Sequence, residues 1–451
     1  MDGNQRRVVI TGMGVIGPLG CETDAYWQAL KAGESGVRPI TCLPAEAMPT
    51  SVAAEAVDFD GKIGGFGNLA TPLKKTIRKN LKMMCRETKM AVAAAQRALD
   101  AAGLAEGEFY DPTRRGITYG SDHMSTMPDD YVDAMRTAVK AEAEAAGIDV
   151  DRCETFDLLR WAATGLPEMS PLWLLLYLPN MPASHLTIFN DLRGPSNSLT
   201  LRETSSLAVL SEAYHTILRG DAEMLVAGAT GTWLHPVRSV HACQQTQVAP
   251  GADDPATSSR PFDANRQGMV LGEGAGVLIL ESLETAQERG ATILAEISGV
   301  ATAASLASGG RPQIGRAVRN VLSSLLEQSG VASSAVGHYN AHGLGTTAAD
   351  AEEATAVAAV FADRADPLPV VAPKANFGNL GSGSGMVELI ASVYALREGT
   401  LFPQINYDTP DPECPITVNT SADTPAGDTA VTLNFNAQAQ AGAAMISKFE
   451  E

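Results

Sequence analysis

The sequence predicts an α/β protein built from two similar halves. Strand-like and helix-like segments alternate along the chain, and the alternation runs once before a Pro/Ser/Asp-rich stretch and again after it. The 45% apolar and 19% charged content is that of a chain with a packed core. Residues 8–10 (VVI) read as a buried strand entering the tight turn Thr11-Gly12-Met13-Gly14. Residues 90–102 (MAVAAAQRALDAA) have helix-forming composition and stop at Gly103. Residues 207–218 predict a helix, and 224–227 a short strand ending at Gly228. The polar stretch 250–260 predicts a surface crossing between the halves. Beyond it, 276–281 (GVLILE) reads as strand, 284–290 as helix, 294–300 as strand and 316–329 as a helix closed by Gly330. The halves are expected at 5–257 and 258–451. Residues 122–185 break the rhythm with an Ala/Glu-rich helical stretch and the Pro-punctuated 166–182; this insertion fits a cap, a dimer face or a packing excursion.

With 33 basic and 52 acidic residues among 451, the formal charge is −19. That balance argues against nucleic acid as a partner, since phosphate is bound through excess positive charge. Six cysteines are scattered without a CxxC pair, so neither a zinc site nor a disulfide scaffold is expected. The opening MDGNQRR lacks the pattern of a signal peptide, and the longest apolar run, 172–178 (LWLLLYL), is too short to span a bilayer. A cytoplasmic protein without a membrane span is expected.

Six motifs carry a family signature. Residues 7–16 (RVVITGMGVI), Leu192-Arg193-Gly194-Pro195-Ser196, Gly220-Asp221-Ala222-Glu223, the stretch from Arg260-Pro261-Phe262-Asp263 through Gly276, Asn340-Ala341-His342-Gly343 and 374–378 occur in order. Together they resemble the β-ketoacyl synthases, the condensing enzymes of fatty-acid and polyketide assembly. The resemblance implies a thiolase-like five-layer αβαβα fold with two pseudo-symmetric halves. It also implies a dimer, with itself or with a cysteine-bearing synthase, acyl carrier protein as partner, and no cofactor or metal.

Such enzymes attack an acyl thioester with a cysteine at a helix N-terminus, where the dipole favours the thiolate. Counting forward from Gly194-Pro195-Ser196, that position falls on Glu203. The first histidine of the family's pair falls on His342 and the second on Asn379; Lys374 is retained, as are Asp350 and Glu353. The glycine-rich gating loop reads Asn436-Ala437-Gln438-Ala439-Gln440, without the glycines that supply positive-φ freedom. A carboxylate is a poor thioester nucleophile, so ordinary condensation is not expected. Three readings of Glu203 remain. It could be a structural carboxylate at the helix end, paired with protonated His342, in a non-condensing partner like a chain-length factor; this is the leading expectation. It could be a malonyl-decarboxylating acid, which requires that burial keep it protonated. Or it could be an acyl acceptor.

Lys74, Lys75, Arg78, Lys79, Lys82, Arg86 and Lys89 crowd basic charge into sixteen positions. A solvated helix face and a dock for the acidic acyl carrier protein both fit, the dock centred on the first five. Residues 172–178 resemble the family segment lining the acyl channel and dimer interface, and fit plain core equally well.

Overall fold

The computed structural model describes residues 6–105 and 109–450. In chain order its strands are β1 (Val8–Ile16), the short antiparallel pair β2 (Arg38–Pro39) and β3 (Val52–Ala53), β4 (Arg115–Ser121), β5 (Ser196–Thr200), β6 (Met224–Thr232), β7 (Glu273–Ser282), β8 (Ala295–Ala304), β9 (His338–Asn340), β10 (Pro369–Val371), β11 (Thr417–Val418), β12 (Thr429–Phe435) and β13 (Gln440–Ser447). The first half-sheet runs β1-β7-β6-β4-β5 and the second β8-β13-β12-β9-β10, with β11 added at its edge. In both, the first three strands pair antiparallel and the outer ones parallel, so the halves repeat one topology. They meet through only two residue pairs between β1 and β8, Val9 with Glu296 and Ile10 with Ala295.

The inner strands β1, β6 and β7 are buried on both faces because helices cover both. On β7, Val277 and Ile279 face the helix Arg86–Ala101, while Leu278 and Leu280 face the interior between the sheets. That outer helix lies so close to β1 that a Cβ on Gly14 would stand 2.0 Å from the Ala94 carbonyl oxygen. Only glycine fits there, which explains the Thr11-Gly12-Met13-Gly14 sequence: it lies within a long strand rather than forming a turn. The helices Ser205–Leu218 and Ser384–Glu398 fill the space between the half-sheets, packing Leu207, Leu210, Met386, Leu389 and Ile390 against both. Helix Ile314–Ser329 covers the far face with Val318, Val321, Leu322 and Leu325. The result is the expected helix–sheet–helix–sheet–helix stack.

Two expectations need correction. The expected strand at 276–281 reads as part of the second half, but β7, which contains it, pairs with β1 and β6 of the first. The seam therefore lies between Ser282 and Ala295 rather than at 257/258: the polar crossing at 250–260 is a surface excursion within the first half. The run at 172–178 is not core. Trp173–Tyr177 forms a 3₁₀ turn, and Leu172 and Leu174 are about half exposed at 50% and 53%. The insertion contains one long helix, Val132–Ala146, followed by short turns that leave Leu158 and Leu159 at the surface.

Candidate active site

Glu203 sits in the 3₁₀ turn Arg202–Thr204, immediately ahead of the central helix Ser205–Leu218. Its side chain is buried, 7% exposed, and Oε1 accepts a hydrogen bond from Asn379 Nδ2 at 3.3 Å. A helix N-terminus favours a carboxylate by about 0.3–1 kcal/mol at exposed sites. Here burial outweighs that: loss of solvent pushes the Glu203 carboxyl up, and the nearby Asp122 carboxylate adds to the rise. Asp122 itself is committed to Arg238, which also approaches Glu87 at 3.8 Å. Asn379 is fixed from behind, its Oδ1 accepting from Gly381 N at 3.0 Å and Ser384 Oγ at 3.2 Å.

His342 follows β9 and is fully buried. Both groups at its Nδ1 are donors, Asn434 Nδ2 at 3.2 Å and Lys374 Nζ at 3.3 Å, so Nδ1 is the acceptor and the ring proton belongs on Nε2. Nε2 is buried and has no partner among the described residues. Burial and the Lys374 ammonium hold the imidazole well below its ordinary value, hence neutral. The expected ion pair between Glu203 and a protonated His342 is therefore absent. A second charge beside Lys374 would have no compensating partner, and Glu203 takes the neutral amide of Asn379 instead.

Lys374 is locked by an ion pair with Glu388 and by a 2.7 Å hydrogen bond to the His342 carbonyl. The turn carrying His342 is tied down by two carboxylates. Glu353 accepts from the His342 and Gly343 amides at 2.8 and 2.9 Å and from the Tyr339 hydroxyl at 2.7 Å; its burial raises it to about 7. Asp350 accepts from the Phe262, Leu344 and Gly345 amides, and burial raises it to about 6. These retained acids position a loop rather than a substrate.

The segment 436–440 closes the hairpin between β12 and β13. Asn436 Nδ2 donates to the Leu201 carbonyl at 3.1 Å and to Gln440 Oε1 at 2.7 Å, while its Oδ1 accepts from the Gln438 and Gln440 amides. Ala439 adopts φ +55°, a conformation costing a non-glycine residue about 1–2 kcal/mol. The missing glycines have not opened the hairpin; a side-chain latch holds it against the Glu203 turn.

A cavity of about 230 Å³ opens beside Glu203, walled by Arg202, Trp233, Met269, Leu344, Thr346 and Phe435, with Asn436 and Ala437 along one side. None of the six cysteines lines it, and neither does Gln438. Lys74, Lys75, Arg78, Lys79 and Lys82 lie elsewhere, exposed on the helix Thr71–Asn80 and the turn after it. Arg86 departs from that group: it is part-buried and pairs with the buried Glu273. Among the described residues no cluster of metal-ligating side chains occurs, and no helix is long and apolar enough to cross a membrane.

Sequence reasoning missed Asn434 and Glu388, which orient His342 and Lys374. Glu388 had a visible signal, being the one charge in the apolar stretch 384–396 (SGMVELIASVYAL). Asn434 had none beyond its place two residues before the hairpin.

Comparisons with known proteins agree with this fold. The family model for the β-ketoacyl synthase N-terminal domain matches residues 5–286, and that for the C-terminal domain matches 294–408. The division falls between β7 and β8, as the strand pairing requires. The chain is 34% identical to 3-oxoacyl-[acyl-carrier-protein] synthase 2 of Coxiella burnetii over 91% of its own length and 90% of that protein. It is 33% identical, with the same coverages, to the granaticin polyketide putative beta-ketoacyl synthase 1 of Streptomyces violaceoruber. Among solved structures, a beta-ketoacyl synthase from Burkholderia phymatum superposes with TM-score 0.81 at 26% identity, covering 99% of this chain and all of the other. The ishigamide ketosynthase/chain length factor shares the fold with TM-score 0.78 at 24% identity, over 99% of this chain and 100% of its own. Matched by family models through both halves and by relatives along nine-tenths of their length, this chain belongs to the β-ketoacyl synthase family.

Proposed function

We propose that this chain is a non-condensing member of its family, a chain-length-factor-like partner of a cysteine-bearing synthase that handles acyl-carrier-protein thioesters. One observation carries the reading: the head of the central helix presents a buried carboxyl, Glu203, bonded to Asn379, in a cavity that no cysteine lines. A neutral carboxylic acid is a worse nucleophile than a carboxylate, and both are far worse than a thiolate. The latched hairpin and the small cavity also suit a site that does not cycle through bulky acyl intermediates.

Support for a partner comes from the surface. β5 lies at the outer edge of the first half-sheet with its residues partly or fully exposed, so its unpaired backbone can accept another strand. Leu158, Leu159, Leu172 and Leu174 expose apolar area on the insertion, which a second chain would remove from water. The basic helix Thr71–Asn80 offers local positive charge to an acidic carrier despite the net −19. The test is expression of the chain with and without a cysteine-bearing synthase from the same host, followed by native mass spectrometry. A one-to-one complex supports the reading, and a stable lone monomer at micromolar concentration defeats it.

The raised Glu203 and the neutral His342 favour a second reading, malonyl-thioester decarboxylation with the Glu203 acid and His342 Nε2 as hydrogen-bond donors to the forming enolate. The acid is protonated at low pH, so wild-type decarboxylation would rise as pH falls. Glu203→Gln, which keeps a donor at every pH, would abolish that dependence. A wild type inert at all pH values excludes this reading.

A further inference from the structure

The central helix Ser205–Leu218 is packed between the half-sheets, yet one stripe of it reaches solvent. Ala208, Ser211 and Glu212 are part-buried and His215 is exposed, at the spacing of a single helix face. Ala208, Ser211 and Glu212 line a groove of about 460 Å³, together with Leu199 of the edge strand β5, Thr302 near the end of β8 and Gln440 at the start of β13. The helix and β13 are in close contact along it: a Cβ on Gly442 would stand 2.9 Å from the Leu207 Cβ. None of the residues lining this groove lines the cavity beside Glu203.

Glu212 is the one charged residue in the lining, and its carboxylate makes no hydrogen bond or ion pair among the described residues. While the groove is open, water solvates that charge. A strand added to β5 would change this. It would lie about 4.8 Å beyond β5, on the side where the groove begins. Leu199 packs against the central layer, so the face of β5 that carries it looks onto the helix. A side chain opposite Leu199 on the added strand shares that face and lies over the groove. Covering the groove removes water from Glu212, and a carboxylate stripped of water without a counter-ion opposes association.

We propose that the groove receives a cationic side chain, an arginine or a lysine, from the strand of the partner synthase that joins β5, with Glu212 as its counter-ion. Either side chain has an apolar stem suited to Leu199 and Ala208 and a charged end that reaches the carboxylate. The charge pattern selects against a second copy. The β5 sequence Ser196–Thr200 (SNSLT) carries no cation, so a copy joined edge to edge would bring that uncharged strand and a second Glu212. The proposal rests on the reading of this chain as a partner of a cysteine-bearing synthase, and it names the chemistry by which that partner is told from the chain itself.

Calorimetric titration of the full chain with the cysteine-bearing synthase of the same host tests it. Glu212→Gln should weaken the complex by ~10-fold, and Glu212→Lys by ~100-fold or more, since it sets two cations together. Changing the partner's basic residue on the joined strand to glutamate should restore binding of Glu212→Lys by at least ~10-fold, which a purely structural role of Glu212 would not produce. Circular dichroism checks that each variant is folded. Folded Glu212→Gln and Glu212→Lys that bind as tightly as wild type, a charge swap that restores nothing, or a wild-type homodimer as tight as the mixed complex would each overturn the groove assignment. A mixed complex insensitive to Glu212 leaves the partner reading standing, whereas the absence of any mixed complex defeats both.

Discussion

His338, at the start of β9, shows what burial does to a single titrating group in this fold. Its Nδ1 donates to the Ala426 carbonyl at 2.8 Å, its Nε2 accepts from Ser392 Oγ at 3.2 Å, and burial lowers its pKa from 6.5 to about 4. A histidine with a depressed folded-state pKa binds fewer protons folded than unfolded between those values, so stability falls as pH drops from 6.5 toward 4. One pKa unit is about 1.4 kcal/mol, so the loss attributable to His338 approaches roughly 3 kcal/mol by pH 4. Urea denaturation across that range should show a shallower acid loss in His338→Gln than in wild type, and parallel curves would refute the assignment. The same logic makes His342 a neutral donor rather than a cation. Its place was readable from Asn340-Ala341-His342-Gly343, but its protonation was not, because the groups that set it, Lys374 and Asn434, lie 32 and 92 residues away. Glu203 was likewise legible by counting from Gly194-Pro195-Ser196, whereas its partner had to be seen: Asn379 is 176 residues distant.

Among the elements, the hairpin between β12 and β13 departs furthest from what its residues suggest. The segment 436–440 lacks the glycines that supply positive-φ freedom, yet Ala439 takes a positive φ and Asn436 covers the strain with five side-chain hydrogen bonds, to the Leu201 carbonyl, the Thr204 hydroxyl, the Gln438 and Gln440 amides and the Gln440 side chain. Removing that amide should free the loop. Asn436→Ala is expected to destabilise the protein by about 2–3 kcal/mol, since a buried group that loses its partners pays the cost of its desolvation. It should also speed amide exchange at 436–440 more than in the β12 interior. Unchanged exchange in the hairpin would show that the turn is held by its backbone alone. Long strands and helices were legible from periodicity because their apolar faces repeat, as in Arg86–Ala101 and Ile314–Ser329. The assignment of β7 was not legible, because a strand buried on both faces carries no mark of which sheet it joins.

At the scale of the whole molecule, the two repeated half-sheets bring Glu203, ahead of the first central helix, against Asn379, ahead of the second, so that contact draws on both halves. The family's fold is intact along the chain, and the proposed function places the change of chemistry at one helix terminus, where Glu203 stands. The most direct test is intact-mass analysis of the purified chain incubated with acyl- and malonyl-carrier-protein thioesters, beside Glu203→Cys as a positive control for access. The wild-type mass should remain unshifted, with no condensation product, while the Glu203→Cys thiol becomes acylated. Acylation of wild type, or condensation by wild type alone at about 1 per second or more, would contradict the non-condensing role.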